Sequence, residues 1–249
     1  MASDSAVLEK LRVKPFAVVG HRGAAGLAAE NSLRALREAI RVGADIAEFD
    51  MQATSDGVVV ASHDPVVVAD NGLKIGLRRA SYEELRRITV RGEPIARLEE
   101  LLAEAVGKIP LFLEVKEPRD TRLVVDVVRR EGALGWIAII SFYDEALRIA
   151  RSLEPRIPLG LVYYKPPGRL FEAKKLGCRI VLPRYSIATS KAVSLAKRLK
   201  LYTVAWTVND EKWFVELWKR GVDGIATDRP DLGSKIKSRI ASRERSLEG

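Results

Sequence analysis

The sequence predicts a single-domain α/β protein: a (β/α)8 barrel of the TIM type with a β-hairpin excursion after the second strand. Two observations favour this class. Short runs rich in β-branched residues alternate along the 249 residues with amphipathic stretches, which is the pattern of βαβ units and a parallel sheet. Runs such as Ile137-Ala138-Ile139-Ile140 are apolar throughout, as expected of strands that are covered on both faces. An open doubly wound sheet is the alternative architecture.

The predicted elements follow one another in regular alternation. Strand character occurs at 16–20, 46–52, 58–62, 111–116, 137–142, 159–163, 180–184, 203–208 and 224–227. Helices are expected at 32–42, 81–88, 98–106, 121–131, 144–152, 170–176, 189–199 and 211–220. Glycine directly follows three of these helices, at Gly43, Gly177 and Gly221, as is common at helix C-termini.

An eight-stranded barrel has no place for a ninth parallel strand. The segment 58–62 is the predicted strand that we exclude from the barrel. It follows Ser55-Asp56-Gly57, a tight-turn signal, so it returns antiparallel to the strand before it. No stretch has the composition of a linker, so we expect residues 1–249 to form one domain with its core at about 16–232. The tail, 233–249, is rich in Lys, Arg and Ser, and we expect a frayed helix or disorder there.

Composition limits the class of protein. The chain has 42 Lys and Arg against 33 Asp and Glu, and the resulting charge of +9 favours an anionic partner or reflects a solvated basic surface. With one cysteine, neither an internal disulfide nor a cysteine-based zinc site is expected. No secretory signal, membrane span or aromatic-interleaved basic patch occurs, so we expect a cytoplasmic protein with no membrane anchor and no nucleic-acid partner. The scarcity of Asn and Gln is typical of thermophile proteins.

The two histidines of the chain both stand at the ends of predicted strands. His21 follows the segment 16–20, and His63 follows the segment 58–62. In a barrel, residues just past the carboxyl ends of the strands line the active face. A single histidine in such a place is often structural, but two out of two indicate a site with acid–base chemistry.

Carboxylates occupy the second strand at positions that share a face. Glu48 and Asp50 are two residues apart, so a buried pair would be costly unless a cation lay between them. That cation could be a Lys or Arg side chain, or a divalent metal ion bound through carboxylate oxygens. The strand 111–116 adds Glu114 as a third candidate ligand and Lys116, which could meet a phosphate oxygen or pair with Glu114.

The predicted hairpin brings His63 toward these carboxylates. A turn at 56–57 sets His63 opposite Asp50. A turn at 55–56 sets it opposite Glu48 instead, so both two-residue turns place the imidazole beside a carboxylate.

Two further features, an aromatic residue at a strand end and a pair of glycines, bear on ligand binding. Trp206 ends the strand 203–208 and is either a core aromatic or a platform for a substrate. The spacing of Gly23 and Gly26 fits no dinucleotide or P-loop motif, so no nucleotide cofactor is expected.

Several short motifs occur in a characteristic order. They are His21-Arg22-Gly23, Glu30-Asn31-Ser32, Gly43-Ala44-Asp45 followed by Glu48-Phe49-Asp50, Thr54-Ser55-Asp56-Gly57, Val59-Val60 with His63-Asp64-Pro65, Leu113-Glu114-Val115-Lys116, Trp206-Thr207-Val208-Asn209 and the segment 221–230. Together they resemble the glycerophosphodiester phosphodiesterase family over about residues 17–231.

The resemblance implies a TIM-type barrel that hydrolyses glycerophosphodiesters, its small-molecule substrates, to glycerol 3-phosphate and an alcohol. It implies one divalent cation (Mg²⁺, Ca²⁺ or Mn²⁺) held by Glu48, Asp50 and Glu114. It also implies a catalytic histidine pair, His21 and His63, which would divide the proton transfers. The side chains expected to contact the substrate are Arg22, Glu30, Asn31, Lys116 and Trp206.

The chain departs from the family pattern at two places. Ala29 replaces the usual proline before Glu30-Asn31, and the segment 66–72 replaces the usual arginine–threonine segment. No long insertion follows before Leu98, so the headgroup preference stays open, as does the oligomeric state.

Three other functions compete with this interpretation. Lysophospholipid cleavage would use the same residues. A lyase of the sphingomyelinase D type would share them too, but the single cysteine and the lack of a secretory signal argue against it. A non-catalytic protein that binds a phosphorylated ligand is the alternative from a different class.

Overall fold

Thirteen strands and ten helices make up the part of the chain that the computed structural model describes, residues 5–165 and 168–248. The strands are β1 (Ala17–Gly20), β2 (Ile46–Ala53), β3 (Val59–Ala61), β4 (Val66–Val68), β5 (Lys74–Gly76), β6 (Thr89–Val90), β7 (Glu93–Pro94), β8 (Leu111–Val115), β9 (Ile137–Ser141), β10 (Leu159–Tyr163), β11 (Ile180–Pro183), β12 (Tyr202–Ala205) and β13 (Gly224–Thr227). The helices are α1 (Ala6–Lys10), α2 (Leu33–Arg41), α3 (Tyr82–Leu85), α4 (Leu98–Ala105), α5 (Thr121–Arg130), α6 (Asp144–Leu153), α7 (Leu170–Lys175), α8 (Ser190–Arg198), α9 (Glu211–Arg220) and α10 (Pro230–Glu248).

Eight parallel strands close into a barrel. The order around the ring is β1, β2, β8, β9, β10, β11, β12 and β13, and β1 pairs with both β2 and β13. The predicted (β/α)8 barrel is therefore confirmed, and the open doubly wound sheet is wrong. β3 pairs antiparallel with β2, so it forms the predicted β-hairpin with β2 and is not a barrel member.

The register of the β2–β3 hairpin differs from both predicted registers. Met51 lies opposite Ala61, so the connecting loop is one residue longer than a two-residue turn. The Thr54 hydroxyl accepts the backbone N–H of Val58 at 3.0 Å, which closes this longer loop. His63 is therefore directly opposite neither carboxylate; it reaches them because β3 ends at Ala61 and the chain bends.

The two faces of the barrel strands explain where the acidic residues lie. On β8, Phe112 belongs to the apolar cluster inside the barrel, while its neighbours Leu111 and Leu113 pack outward against the helices. Alternation with a period of two then places Glu114 on the inner face, one step above Phe112. On β2, Ile46 is the inner apolar residue, and Glu48 and Asp50 follow it on the same face.

The segment between β3 and α4, which we call the excursion, packs beside the barrel mouth. It contains the hairpins β4–β5 and β6–β7 and the helix α3, and it has an apolar cluster of its own around Val60, Leu77 and Leu85. Arg78 of this excursion forms an ion pair with buried Asp120, whose carboxylate also accepts the backbone N–H of Ala53 at 3.1 Å. The excursion is therefore anchored to the end of β2.

The basic tail is helical through residue 248. α10 begins at Pro230, and its buried residues Ile236 and Ile240 pack in a cluster with Phe16 and Phe214. This segment therefore contributes buried apolar side chains after residue 232. Among the described helices, none combines the length and hydropathy that a membrane span requires.

Candidate active site

The carboxyl ends of β1, β2 and β8, together with the loop after β3, surround a cavity of about 160 Å³. Its base is the apolar cluster inside the barrel. Eight of the ten predicted site residues line it: His21, Arg22, Glu48, Asp50, His63, Glu114, Lys116 and Trp206. Residues from strands far apart in sequence thus converge on one pocket.

Three carboxylates converge within this cavity. Glu48, Asp50 and Glu114 each offer an oxygen, and these oxygens lie within 4.8 Å of one another. The Oε1 atom of Glu48 is buried and has no hydrogen-bond partner among the residues that the structure describes. Burial, together with the charge of Asp50, raises the pKa of Glu48 to about 8. The same two causes raise the pKa of Glu114. A divalent cation fits this set of hard oxygen donors and would compensate their charge.

Two cationic side chains compensate only part of the cluster. Lys116 Nζ donates a hydrogen bond to Glu114 at 2.7 Å and lies 3.3 Å from an oxygen of Asp50. Arg22 Nε lies 3.3 Å from the other oxygen of Asp50. Burial opposes the ionisation of Asp50, but Lys116 and Arg22 outweigh it and hold the pKa of Asp50 below its usual value. The cationic partners predicted from the sequence therefore exist at Asp50, whereas Oε1 of Glu48 has no hydrogen-bond partner among the described residues.

Glu30 and Asn31 do not line the central cavity, but they contact two residues that do, Arg22 and Asp50. Asn31 donates to an oxygen of Asp50 at 3.0 Å and accepts the backbone N–H of Asp50 at 3.1 Å. The Glu30 carboxylate accepts a hydrogen bond from Arg22 at 2.9 Å. The resemblance implies that both contact the substrate; the structure shows their side chains hydrogen-bonded to Arg22 and Asp50.

The backbone of Arg22 adds a further constraint. Its φ is +49°, in the left-handed region, and its N–H donates to Glu48 at 2.8 Å. The turn is possible because Gly23 follows with φ +82°, and an added Cβ at Gly23 would lie 2.8 Å from Ala35. The turn after β1 thus fixes one oxygen of Glu48 and leaves the other, Oε1, without a partner.

His21 is oriented by a carboxylate that the sequence reasoning did not select. Its Nδ1 lies 2.7 Å from Asp228, and its Nε2 lies 4.0 Å from Glu48. Asn209 donates to the second oxygen of Asp228 at 2.6 Å. Burial disfavours protonation of the imidazole, but the hydrogen bond that the ring donates to Asp228 and the charge of Glu48 outweigh it and raise the pKa of His21. This pairing favours a proton on Nδ1 and leaves Nε2 directed at the carboxylates.

A signal for Asp228 was present in the sequence. Asp228 directly follows β13, the strand that pairs with β1, and His21 directly follows β1. Adjacent strand ends bring their following residues together, so the barrel order identifies this partner once the ring is closed.

His63 has a different environment from His21. Its Nδ1 lies 2.8 Å from its neighbour Asp64, and 39% of its side chain is exposed. It comes from the excursion rather than from a barrel strand, so it stands at the mouth of the cavity, whereas His21 lies deeper.

Trp206 and Phe142 form part of the cavity wall. Their rings meet edge to face, with centroids 5.6 Å apart. The indole N–H of Trp206 donates to the backbone carbonyl of Leu182 at 2.7 Å, which fixes the ring. Trp206 is thus both anchored in the barrel and a lining residue.

A barrel with clustered carboxylates, cations and imidazoles at the carboxyl ends of its strands is typical of enzymes that act on phosphate esters. Residues 21–232 match the Glycerophosphoryl diester phosphodiesterase family. The chain belongs to this family and is a glycerophosphodiester phosphodiesterase in class.

Individual relatives agree in length and fold. The Bacillus subtilis protein YhdW is 29% identical over 86% of this chain and 95% of its own. A glycerophosphodiester phosphodiesterase from Parabacteroides distasonis superposes with a TM-score of 0.81 at 29% identity, covering 91% of this chain and 98% of that one. An Oleispira antarctica phosphodiesterase in complex with the product sn-glycerol-3-phosphate gives a TM-score of 0.81 at 26% identity, covering 90% and 96%.

Replacing Asp228 tests the orientation of His21. We expect Asp228→Asn to lower kcat on glycerophosphocholine by roughly 10- to 100-fold, less than loss of the imidazole, because the ring stays but its tautomer is no longer fixed. Asp231→Asn is the matched control, because Asp231 pairs with Arg229 on the surface. Equal activity of the two variants would contradict the role given to Asp228.

Proposed function

We propose that this protein hydrolyses glycerophosphodiesters to glycerol 3-phosphate and an alcohol, with one divalent cation and two histidines that exchange protons. The observation that carries the proposal is the unpartnered, buried oxygen of Glu48 within a cluster of three carboxylates, with His21 and His63 on the same cavity. The cation would be Mg²⁺, Ca²⁺ or Mn²⁺, since all three accept carboxylate oxygens.

The cation would be held by Glu48, Asp50 and Glu114 and would supply Lewis-acid polarisation of the phosphate. The chain's own cations bind the rest of the phosphate charge. Arg22 pairs with Asp50 and Glu30 and lines the cavity, where its guanidinium would also meet a phosphate oxygen. Lys116, which directly follows β8, supplies a second positive charge.

The histidines divide the proton transfers between them. His21 is held by Asp228 with Nε2 free, so it takes the proton of the nucleophile. The imidazolium that forms is stabilised by the same carboxylate. His63 lies at the mouth, where the alcohol leaves, and gives that oxygen its proton. The nucleophile is a water molecule or the substrate's own glycerol hydroxyl, and the second route passes through a cyclic phosphate.

Two substrates separate the roles of the histidines. Bis(4-nitrophenyl) phosphate releases a nitrophenolate, which needs no proton, whereas glycerophosphocholine releases a basic alkoxide. We expect His21→Ala to lose roughly 10²–10⁴-fold in rate on both substrates. His63→Ala should lose that much only on glycerophosphocholine.

Thermal unfolding of both variants should match the wild type, because neither imidazole lies in the apolar core. The reverse pattern on the two substrates would exchange the roles of the histidines. Full activity of either variant would contradict the mechanism.

Glu48→Gln tests the cation site. In the wild type we expect Mg²⁺, Ca²⁺ or Mn²⁺ to raise the midpoint of thermal unfolding and EDTA to abolish activity. The variant should need at least about tenfold more cation for the same rise, because one ligand charge is lost. In EDTA the variant should unfold at or above the wild-type midpoint, since burial and Asp50 already disfavour a charge at position 48 and raise the pKa of Glu48 to about 8.

Glu38→Gln on the surface of α2 is the control for this experiment, and it should respond to cations as the wild type does. An unchanged cation response in Glu48→Gln, or full activity in EDTA, would contradict the assignment of the site.

One observation favours lysophospholipids as a second substrate class. A cavity of about 440 Å³ adjoins the site at Glu114 and Phe142 and is walled by Tyr143, Tyr163 and Tyr164. Such a trough could hold the start of an acyl chain. We expect kcat/KM for lysophosphatidylcholine to equal or exceed that for glycerophosphocholine if the trough is used. Turnover of glycerophosphocholine alone would exclude this class.

A further inference from the structure

Strongly exposed apolar side chains are unevenly distributed over the molecule. Among the described residues, the large ones are Val66, Val68, Leu73, Val106, Tyr143, Tyr164 and Phe171. All but Val106 lie in the excursion after β3 or in the segments that follow the carboxyl ends of β9 and β10. Val106 ends α4 and leads into β8, so it lies toward the opposite end of the barrel. We call the other six residues the rim.

The rim flanks the mouth of the active site on two sides. Val66 and Val68 line a cavity of about 220 Å³ together with His63. Tyr143 and Tyr164 line the aromatic trough that reaches Lys116. Four of the six rim residues therefore line cavities beside the opening, while Leu73 and Phe171 lie further along the same two segments of the chain.

Basic side chains accompany the aromatic part of the rim. The segment 164–175 contains Lys165, Lys174 and Lys175 against a single acid, Glu172; its arginine, Arg169, is paired with Asp144. Lys165 Nζ lies 5.3 Å from the centre of the Tyr164 ring. Phe171, 59% exposed, is the most exposed large apolar residue of the described chain. Aromatic rings mixed with lysines are the composition that favours the boundary between water and lipid headgroups.

We propose that the rim is a docking surface for an anionic lipid bilayer. The tyrosines and Phe171 would enter the headgroup region, and the lysines would lie over anionic headgroups, as the net charge of +9 favours. The two apolar parts of the rim lie on either side of an open cavity, so a planar bilayer would contact both parts and leave the cavity accessible. The inference goes beyond the proposed function and does not require it, because binding is measured without turnover.

Flotation with lipid vesicles tests the proposal on the full chain. The vesicles contain phosphatidylcholine alone or phosphatidylcholine with phosphatidylglycerol. We expect the wild type to float with the anionic vesicles and much less with the neutral ones. Phe171→Ser should weaken binding about tenfold, since its ring no longer leaves water. Lys174→Gln and Lys175→Gln should each weaken it about fivefold.

Val106→Ser is the matched control, because it removes an exposed apolar side chain at the other end of the barrel. It should bind as the wild type does. Absence of flotation, or equal losses in Phe171→Ser and Val106→Ser, would overturn the proposal. A dimer in sedimentation that Phe171→Ser dissociates would also overturn it, by assigning the rim to contacts between copies of the chain.

The same variants separate this proposal from the proposed function. Phe171→Ser should hydrolyse glycerophosphocholine in solution at the wild-type rate. An inactive wild type that still floats would leave the docking surface standing and remove the hydrolase mechanism.

Discussion

Three carboxylates lie close together at the top of an apolar barrel interior. Many of the side chains around them offset the unfavourable free energy of burying like charges. Like charges in a buried place are unfavourable unless cations accompany them. Lys116 and Arg22 approach Asp50, and Asn31 clamps it from behind. Glu48 receives no such partner on Oε1, and its pKa rises accordingly. This imbalance is the observation on which the proposed cation site depends.

The two histidines differ because they come from different kinds of element. His21 ends a barrel strand, so the ring geometry fixes its neighbours, and Asp228 from the adjacent strand holds its Nδ1. His63 comes from the excursion, and its imidazole is hydrogen-bonded to its chain neighbour Asp64. One imidazole is thus deep and oriented, and the other is exposed at the mouth, which suits a division between activating a nucleophile and releasing an alcohol.

The excursion after β3 connects the chemistry to the surface around it. It delivers His63, it contributes two valines beside the opening, and it is tied to the barrel through the Arg78–Asp120 ion pair. On the other side, the segment after β10 supplies Tyr164 and a set of lysines. The surface around the site is therefore formed by the segments that connect the strands. Such connecting segments can vary in sequence while the barrel stays the same.

The sequence by itself indicated the barrel, the antiparallel return of β3 and the strand faces shared by Glu48 with Asp50 and by Glu114 with Lys116. These depend on local periodicity, which is visible in one strand at a time. It could not determine the hairpin register, because a hydroxyl of Thr54 selects a loop one residue longer. It also did not select Asp228 as the partner of His21. That pairing joins positions 207 residues apart and exists only because closing the ring sets β13 beside β1.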